Sequence, residues 1–103
     1  MSWSSEYLGD YGYTKTITFL DEDGSALDIS TYTTKSFILV PPDNVRKSIT
    51  AAFDSDGTDG VLTYTFADGD VHIPGDWTVF ARVIKTGAQK TSDPFTWTIL
   101  AKP

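Results

Sequence analysis

The stretch "DWTVFARVI", residues 76–84, decides the fold class of this chain. Its core-type side chains fall on every second residue, at Trp77, Val79, Ala81 and Val83. Successive side chains of a β-strand point to opposite faces, so a period of two places these four on one face. Most residues of the stretch are aromatic or β-branched, and such side chains pack well on a pleated surface. The stretch therefore predicts a β-strand that buries one face in a core.

Similar stretches fill the chain on both sides of this one. They are rich in Thr, Val, Ile, Phe and Tyr, and the segments between them carry the Gly, Pro, Asn and Asp that tight turns require. Short strands with turn signals roughly every 10–15 residues are typical of a sandwich, so we expect an all-β, antiparallel β-sandwich of about seven strands. Residues 67–75 have two alternatives, a short helical turn or a loop that crosses between the sheets. The predicted strands are residues 13–20, 33–40, 46–53, 61–66, 76–84 and 93–100.

The alternation within these strands also predicts the core. One face of each strand carries large apolar side chains, and large aromatic residues such as Trp77 and Trp97 dominate sandwich cores. The side chains that we expect to be largely buried are Ile17, Phe19, Phe37, Leu39, Leu62, Tyr64, Trp77, Val79, Phe95 and Trp97.

The composition restricts the classes of function. With 103 residues the chain is long enough for one compact domain and too short for two. It has no cysteine, which excludes disulfides, zinc–thiolate sites and cysteine nucleophiles. The formal net charge of −6 and the lack of a basic cluster argue against binding to nucleic acid or to an anionic membrane. We also expect no secretory signal, and no membrane span because no apolar run approaches about 20 residues.

The acidic stretch "DSDGTDG", residues 54–60, has two interpretations, a calcium loop or the turn of a β-hairpin. An EF-hand loop that began at its first aspartate would need a glycine at position six and a glutamate at position twelve. Those positions hold Asp59 and Thr65, so the calcium pattern fails twice. Gly57 and Gly60 instead suit a turn that needs a positive φ. We predict a hairpin and no metal site, with an adventitious weak calcium site as the alternative.

Residues suited to catalysis are few. His72 is the single histidine, and it falls in a predicted loop, with no serine in a nucleophile-elbow pattern. The carboxylates lie almost entirely in turns, and neither Glu6 nor Glu22 falls in a predicted strand that could line a glycosidase cleft. We therefore predict a non-enzymatic protein with no catalytic residue and no cofactor.

The first ten residues differ from the rest of the chain. Trp3, Tyr7 and Leu8 lie there in a polar segment outside any strand pattern. Aromatic side chains in such a segment suit an interface anchor, because they bury a large area with few rotatable bonds to order. We predict that residues 1–10 form an N-terminal arm that packs on a neighbouring chain and that residues 11–103 form the sandwich. Trp3, Tyr7 and Leu8 are the candidate protein-interface residues.

The order of segments along the chain resembles a known family. The segments that carry the resemblance are "TITFLDEDGSALDIS" at 16–30, "PPDN" at 41–44, "DGTDGVLTYTF" at 56–66, "GDVHIPGDWTVFARVI" at 69–84 and "SDPFTWTIL" at 92–100. They resemble the immunoglobulin-like domains of tailed-phage virion proteins, and are most similar to the N-terminal domain of the phage baseplate upper protein family. The matching motif positions are Asp28, Ile29 and Ser30, and then Gly75, Trp77 and Arg82.

The resemblance covers nearly the whole chain and implies an immunoglobulin-like structural protein of the virion, made in the bacterial host cytoplasm. Its implied partners are other phage structural proteins and copies of itself. In the baseplate family this domain begins a longer protein, whereas here the sequence stops at Pro103. We therefore expect a free-standing adaptor, connector or decoration protein of the tail, baseplate, neck or capsid. The alternative is a carbohydrate-binding module on the virion surface, whose candidate aromatic residues are Trp3, Tyr11, Tyr13 and Tyr32.

Overall fold

The structure is a computed structural model that describes residues 3–102. Strands and loops make up this part of the chain, and no helix occurs in it that could span a membrane. The strands within it are β1 (Glu6–Tyr7), β2 (Thr14–Thr18), β3 (Thr34–Val40), β4 (Lys47–Thr50), β5 (Ala52–Phe53), β6 (Val61–Thr65), β7 (Gly75–Lys85), β8 (Ala88–Thr91) and β9 (Phe95–Leu100).

Two sheets form a sandwich. The six-stranded sheet has the order β1-β9-β7-β3-β4, with β8 paired to β7, and the three-stranded sheet has the order β2-β6-β5. All strand pairs are antiparallel except β1 and β9, which run parallel. The predicted fold class, an all-β sandwich, is confirmed. Residues 3–102 hold nine strands where we predicted about seven, because β1 and β8 had no sequence signal and one predicted strand is divided.

The divided strand is the stretch 46–53. Its first part, β4, pairs with β3 in the six-stranded sheet, and its second part, β5, pairs with β6 in the other sheet. Ala51 lies buried at the bend, where its backbone N–H donates to the carbonyl oxygen of Lys35 at 3.0 Å. Residues 67–74 also pass from one sheet to the other, so the crossing-loop alternative is correct for this segment.

A bulge lies between β8 and β9, which pair with successive parts of β7. Arg82 pairs with Thr91 and Val79 pairs with Phe95, so the β8–β9 side has one more residue than β7 across this interval. Ser92 fills the irregularity, because its hydroxyl accepts a hydrogen bond from the Ala81 N–H at 2.8 Å. Such a bulge bends a strand, and here it separates β8 from β9, both of which pair with the longer β7.

The core lies between the sheets and confirms the predicted alternation. Nine of the ten side chains that we expected inside are buried, and the tenth, Tyr64, is half-buried and packs against them. Trp97 is at the centre, with ring centroids 5.1 Å from Phe66 and 5.9 Å from Trp77. The Phe66 contact is tilted and the Trp77 contact is edge-to-face, and such aromatic pairs add to the free energy of burying the rings.

Candidate interaction surfaces

Trp3 belongs to the sandwich core. Only 8% of the residue is exposed, and its ring lies 5.1 Å from that of Trp97 in an edge-to-face contact. Its indole N–H donates to the carbonyl oxygen of Thr16 in β2 at 3.0 Å, and its backbone N–H donates to that of Thr96 in β9 at 3.1 Å. The prediction that Trp3 is an exposed anchor for a neighbouring chain is therefore wrong, since its ring is packed within its own chain.

The residues after Trp3 close the side of the sandwich between β2 and β9. Glu6 forms an ion pair with Lys15, which is the buried charged residue of the described core. Lys15 also donates to the carbonyl oxygen of Ser4 at 3.1 Å, and Trp97 donates to the same oxygen through its indole N–H at 3.0 Å. Glu6 lies in β1, which is part of the sheet, so residue 10 is not a boundary between a separate arm and the sandwich.

The other two candidate interface residues differ in exposure. Tyr7 is 46% exposed, and it lies beside Leu100, which is 39% exposed, at the edge where β1 pairs with β9. Leu8 packs partly against the core, and its N–H donates to the carbonyl oxygen of Leu100 at 2.8 Å. Of the three residues, Tyr7 is the one that presents an exposed aromatic ring.

The stretch 54–60 is the turn of a hairpin between β5 and β6, as predicted. Gly57 and Gly60 have φ values of 88° and 74°. A Cβ on Gly60 would lie 2.7 Å from the carbonyl oxygens of both Phe19 and Leu27, so the turn docks closely on the loop after β2. Glycine is required here both by the backbone conformation and by the lack of space.

The aspartates of this turn bind their own backbone. Asp56 accepts hydrogen bonds from the hydroxyl and N–H groups of Thr58 at 2.6 and 3.0 Å, and these bonds hold the pKa of Asp56 below its ordinary value. Asp59 accepts the N–H of Val61 at 3.1 Å. Among residues 3–102 no group of three or more His, Asp or Glu side chains is arranged to hold a metal ion. These carboxylates act as turn acceptors.

The loop between β6 and β7 contains the one histidine and a carboxylate with several partners. Asp70 accepts the hydroxyl of Tyr64 at 2.6 Å and the N–H of Ala67 at 2.8 Å, and Lys47 lies near it. Burial raises the pKa of Asp70, but these hydrogen bonds outweigh burial, so its pKa is lowered. The hydrogen bond to Asp70, with burial, raises the pKa of Tyr64 to about 12.

His72 has local partners. Its Nε2 atom lies 3.1 Å from Asp43 Oδ2, and its ring lies edge-on to Trp77 at 5.5 Å. In the described part of the chain no serine hydroxyl is hydrogen-bonded to this imidazole, so the loop lacks the nucleophile–base pair of a serine hydrolase.

The aromatic candidates for sugar binding differ in how far they are buried. Tyr13 is half-buried and stacks on Phe66 with centroids 5.3 Å apart, and burial raises its pKa to about 12. Tyr32 is half-buried beneath Lys85, whose ammonium lies 4.7 Å from the ring centroid. Tyr11 is 62% exposed. With Trp3 in the core, the four candidates contribute one largely exposed ring rather than a platform of several.

A partly exposed aromatic ring flanked by two cations lies instead on the outer face of the six-stranded sheet. The ring is that of Phe80, whose register partner Ile38 is only 8% exposed, and both lie on the opposite side of β7 and β3 from the core residues. The guanidinium groups of Arg46 and Arg82 lie 5.9 and 5.8 Å from the centroid of the Phe80 ring. We call the surface made by Ile38, Arg46, Phe80 and Arg82 the arginine face.

Charge distinguishes the arginine face from the rest of this acidic chain. Two shallow grooves meet at Arg82, and no Asp or Glu among the described residues lines either of them. The ion pairs within residues 3–102 are Lys15–Glu6, Lys47–Asp70 and His72–Asp43, so both arginines lack a carboxylate partner there. The sequence carries a signal for this face, since Phe80 and Arg82 alternate with the core residues of β7, but a pattern that predicts the buried face does not by itself indicate a function for the exposed one.

Comparison with protein families and with curated proteins gives no relative from which a function can be transferred. No protein-family model matches the chain. No curated protein matches it either. The surfaces described above are therefore the basis for the functional proposal.

Proposed function

We propose that the chain is a non-enzymatic structural protein of a tailed-phage particle that works through protein–protein contacts. Its role there is that of an adaptor, connector or decoration protein of the tail, baseplate, neck or capsid. The order of turns and strands supports the phage assignment through its resemblance to virion immunoglobulin-like domains. The observation that carries the contact role is the arginine face, a partly exposed aromatic ring with two cations beside it and no carboxylate lining its grooves.

The composition of the arginine face supports a protein partner. Aromatic and arginine side chains are enriched at the centres of protein interfaces, where they bury a large area and make several contacts each. Arg46 and Arg82 are already held near the Phe80 ring, so less side-chain entropy is lost when a partner binds.

The polar residues of the loops support a non-enzymatic role. Asp56 and Asp59 in the turn 54–60 accept backbone and hydroxyl hydrogen bonds, and His72 is held between Asp43 and Trp77. Each group therefore has a structural use in its own loop, and none needs a substrate to explain its position.

Purified particles test the virion assignment. We expect the chain to be present in a fixed copy number in particles from cells that produce it, as measured by quantitative mass spectrometry. Electron microscopy of particles with and without the gene should then show a missing feature at one place. If the protein stays in the soluble fraction and is absent from purified particles, the proposed function is wrong.

Carbohydrate binding is the second candidate, and one observation favours it. Tyr11 is 62% exposed, and an exposed aromatic ring is the feature that stacks on a sugar. A glycan array probed with the chain and with Tyr11→Ala tests it, with Tyr32→Ala as the matched control at a half-buried ring. Loss of binding in Tyr11→Ala alone supports this candidate, and an array without signal removes it.

A further inference from the structure

The acidic residues of this chain are concentrated at one end of the sandwich. The loop after β2 and the turn 54–60 pack together there, through hydrogen bonds from Phe19 N to Gly60 O at 2.8 Å and from Ile29 N to Gly57 O at 2.9 Å. Half of the fourteen acidic residues lie on these two loops. We call this surface the acidic end, and its residues are Asp21, Glu22, Asp23, Asp28, Asp54, Asp56 and Asp59.

The carboxylates of the acidic end outnumber the cations near them. Lys90 lines a shallow groove with residues 21–23, and Lys85 lies close enough to Asp28 to affect its pKa. Hydrogen bonds from the Ser30 side chain and N–H hold the pKa of Asp28 below its ordinary value. With seven acidic residues and these two lysines, this end carries an excess of negative charge.

We propose that the acidic end of one copy docks on the arginine face of a second copy of this chain. The proposal rests on one part of the proposed function, that the chain acts through protein–protein contacts, and it names the partner as a second copy. Arg46 and Arg82 would pair with carboxylates of the incoming acidic end, and Phe80 between them would be covered. Complementary charge on the two surfaces is the argument for this occupant.

Within one copy the arginines do not pair with the acidic end, since neither takes part in an ion pair among residues 3–102. Arg46 lies far from that end, because β3 begins at Thr34 near the acidic end and the turn that carries Arg46 follows its last residue, Val40. Seven residues of strand span about 20 Å, at about 3.3 Å per residue. Arg82 lies closer, since it pairs with Ser36 near the start of β3. The carboxylates that Arg46 would meet at an acidic end therefore belong to a second copy.

This contact joins two different surfaces and is head-to-tail. Two arginine faces brought together would place four guanidinium groups opposite one another, and no carboxylate lines the grooves of either face. Repulsion between like charges therefore disfavours a symmetric face-to-face dimer. A head-to-tail contact closes into a ring or continues as a filament. Each contact is weak because the charges are exposed, but repeated contacts in a ring or on a particle reinforce one another.

Sedimentation velocity of the purified chain tests self-association. We expect the sedimentation coefficient to rise with protein concentration at low ionic strength. The rise should disappear in about 1 M NaCl, where the screening length is about 3 Å. A wild-type chain that stays monomeric at every concentration at low salt overturns the proposal.

Two variants locate the contact. Arg46→Gln with Arg82→Gln removes the cations of the arginine face, and the control Lys102→Gln removes a cation that lies on neither surface. Glu22→Lys with Asp54→Lys alters the acidic end at two carboxylates that accept no hydrogen bond within residues 3–102. We expect each of the two altered chains to lose the concentration-dependent rise in sedimentation coefficient and the control to keep it. Circular dichroism melts confirm that the variants are folded. If either altered surface associates like the wild type, the proposal is wrong.

Mixing the two variants tests the head-to-tail geometry. The Arg46→Gln/Arg82→Gln chain still has its acidic end, and the Glu22→Lys/Asp54→Lys chain still has its arginine face. We expect their mixture to form 1:1 complexes that do not grow, because one complementary pair remains. A mixture that stays monomeric contradicts the proposal, since a face-to-face contact cannot use the neutralised face. Presence of the chain in particles is measured separately, so failure here leaves the proposed virion role standing.

Discussion

Single residues decide how this sandwich is closed, and Trp3 is the clearest case. Its ring contacts four other aromatic rings, those of Phe37, Phe66, Phe95 and Trp97, although it is the third residue of the chain. The sequence around it is polar and lacks alternation, so nothing local indicates burial. A side chain in this position contributes to stability and not to an external contact.

Replacing Trp3 by alanine should lower the free energy of unfolding by about 3–5 kcal/mol, because the change loses a buried ring and leaves a cavity. Tyr7→Ala, at an exposed position four residues later, should change it by less than about 0.5 kcal/mol. Urea denaturation followed by tryptophan or tyrosine fluorescence measures both. Equal stability of the wild type and Trp3→Ala would show that the ring is not in the core.

Gly60 is a second position where one residue controls a close approach. An alanine there would have φ near 74° and a Cβ 2.7 Å from two backbone oxygens. We expect Gly60→Ala to destabilise the fold by more than the roughly 1–2 kcal/mol of left-handed strain alone. Gly87→Ala has a similar φ of 83° and open space, so it isolates the strain. Thermal melting of both variants checks the difference, and equal losses would contradict the close docking of this turn.

At the scale of elements, the N-terminal segment and the strands that it covers form one unit. Residues 3–8 bond to both β2 and β9, which belong to different sheets. Deletion of residues 2–8 should therefore lower the melting temperature, the opposite of what an independent arm would show.

The loop after β6 is a second such unit, in which Asp70 ties β6 to β4 through Tyr64 and Lys47.

The Asp70 interactions should make stability depend on pH in the acid range. The pKa of Asp70 is lowered in the folded chain, so its stabilising contribution is fully present above the unfolded value of about 3.9. The contribution is lost as pH falls through the folded pKa, because the unfolded chain then binds the proton more readily. Melting temperatures of the wild type and Asp70→Asn between about pH 2 and 7 measure this. The two curves should converge at low pH, and a constant gap would count against the ionised carboxylate as the cause.

At the scale of the whole molecule, charge is unevenly distributed. The acidic end carries half of the acidic residues, while the arginine face has two cations without carboxylate partners in the described chain. Repulsion within the acidic end opposes the compact state, and dissolved salt screens it. The same asymmetry provides the complementary surfaces for self-association.

Charge reversal at the acidic end should therefore stabilise the monomer. In dilute low-salt solution Glu22→Lys with Asp54→Lys should raise the melting temperature by up to about 4 °C, which corresponds to about 0.5–1 kcal/mol for a domain of this size. Asp10→Lys with Asp68→Lys makes the same change in net charge outside this surface and should raise it less. Scanning calorimetry compares them, and a larger effect of the control pair would indicate that net charge alone matters.

The sequence by itself determined the fold class, the core faces of the main strands and the hairpin at 54–60. Strand alternation and turn chemistry are local properties, since a period of two and a glycine with positive φ act within a few residues. The ten predicted core residues follow from this local pattern alone, and all of them lie in the core or against it.

Only the tertiary structure decided the position of Trp3, the parallel pairing of β1 with β9 and the division of 46–53 between two sheets. It also decided the arginine face, because Ile38, Arg46 and Phe80 come from three separate segments joined by strand register. These features depend on contacts between residues distant in sequence. Their stability depends on packing throughout the core, so no short stretch of sequence predicts them.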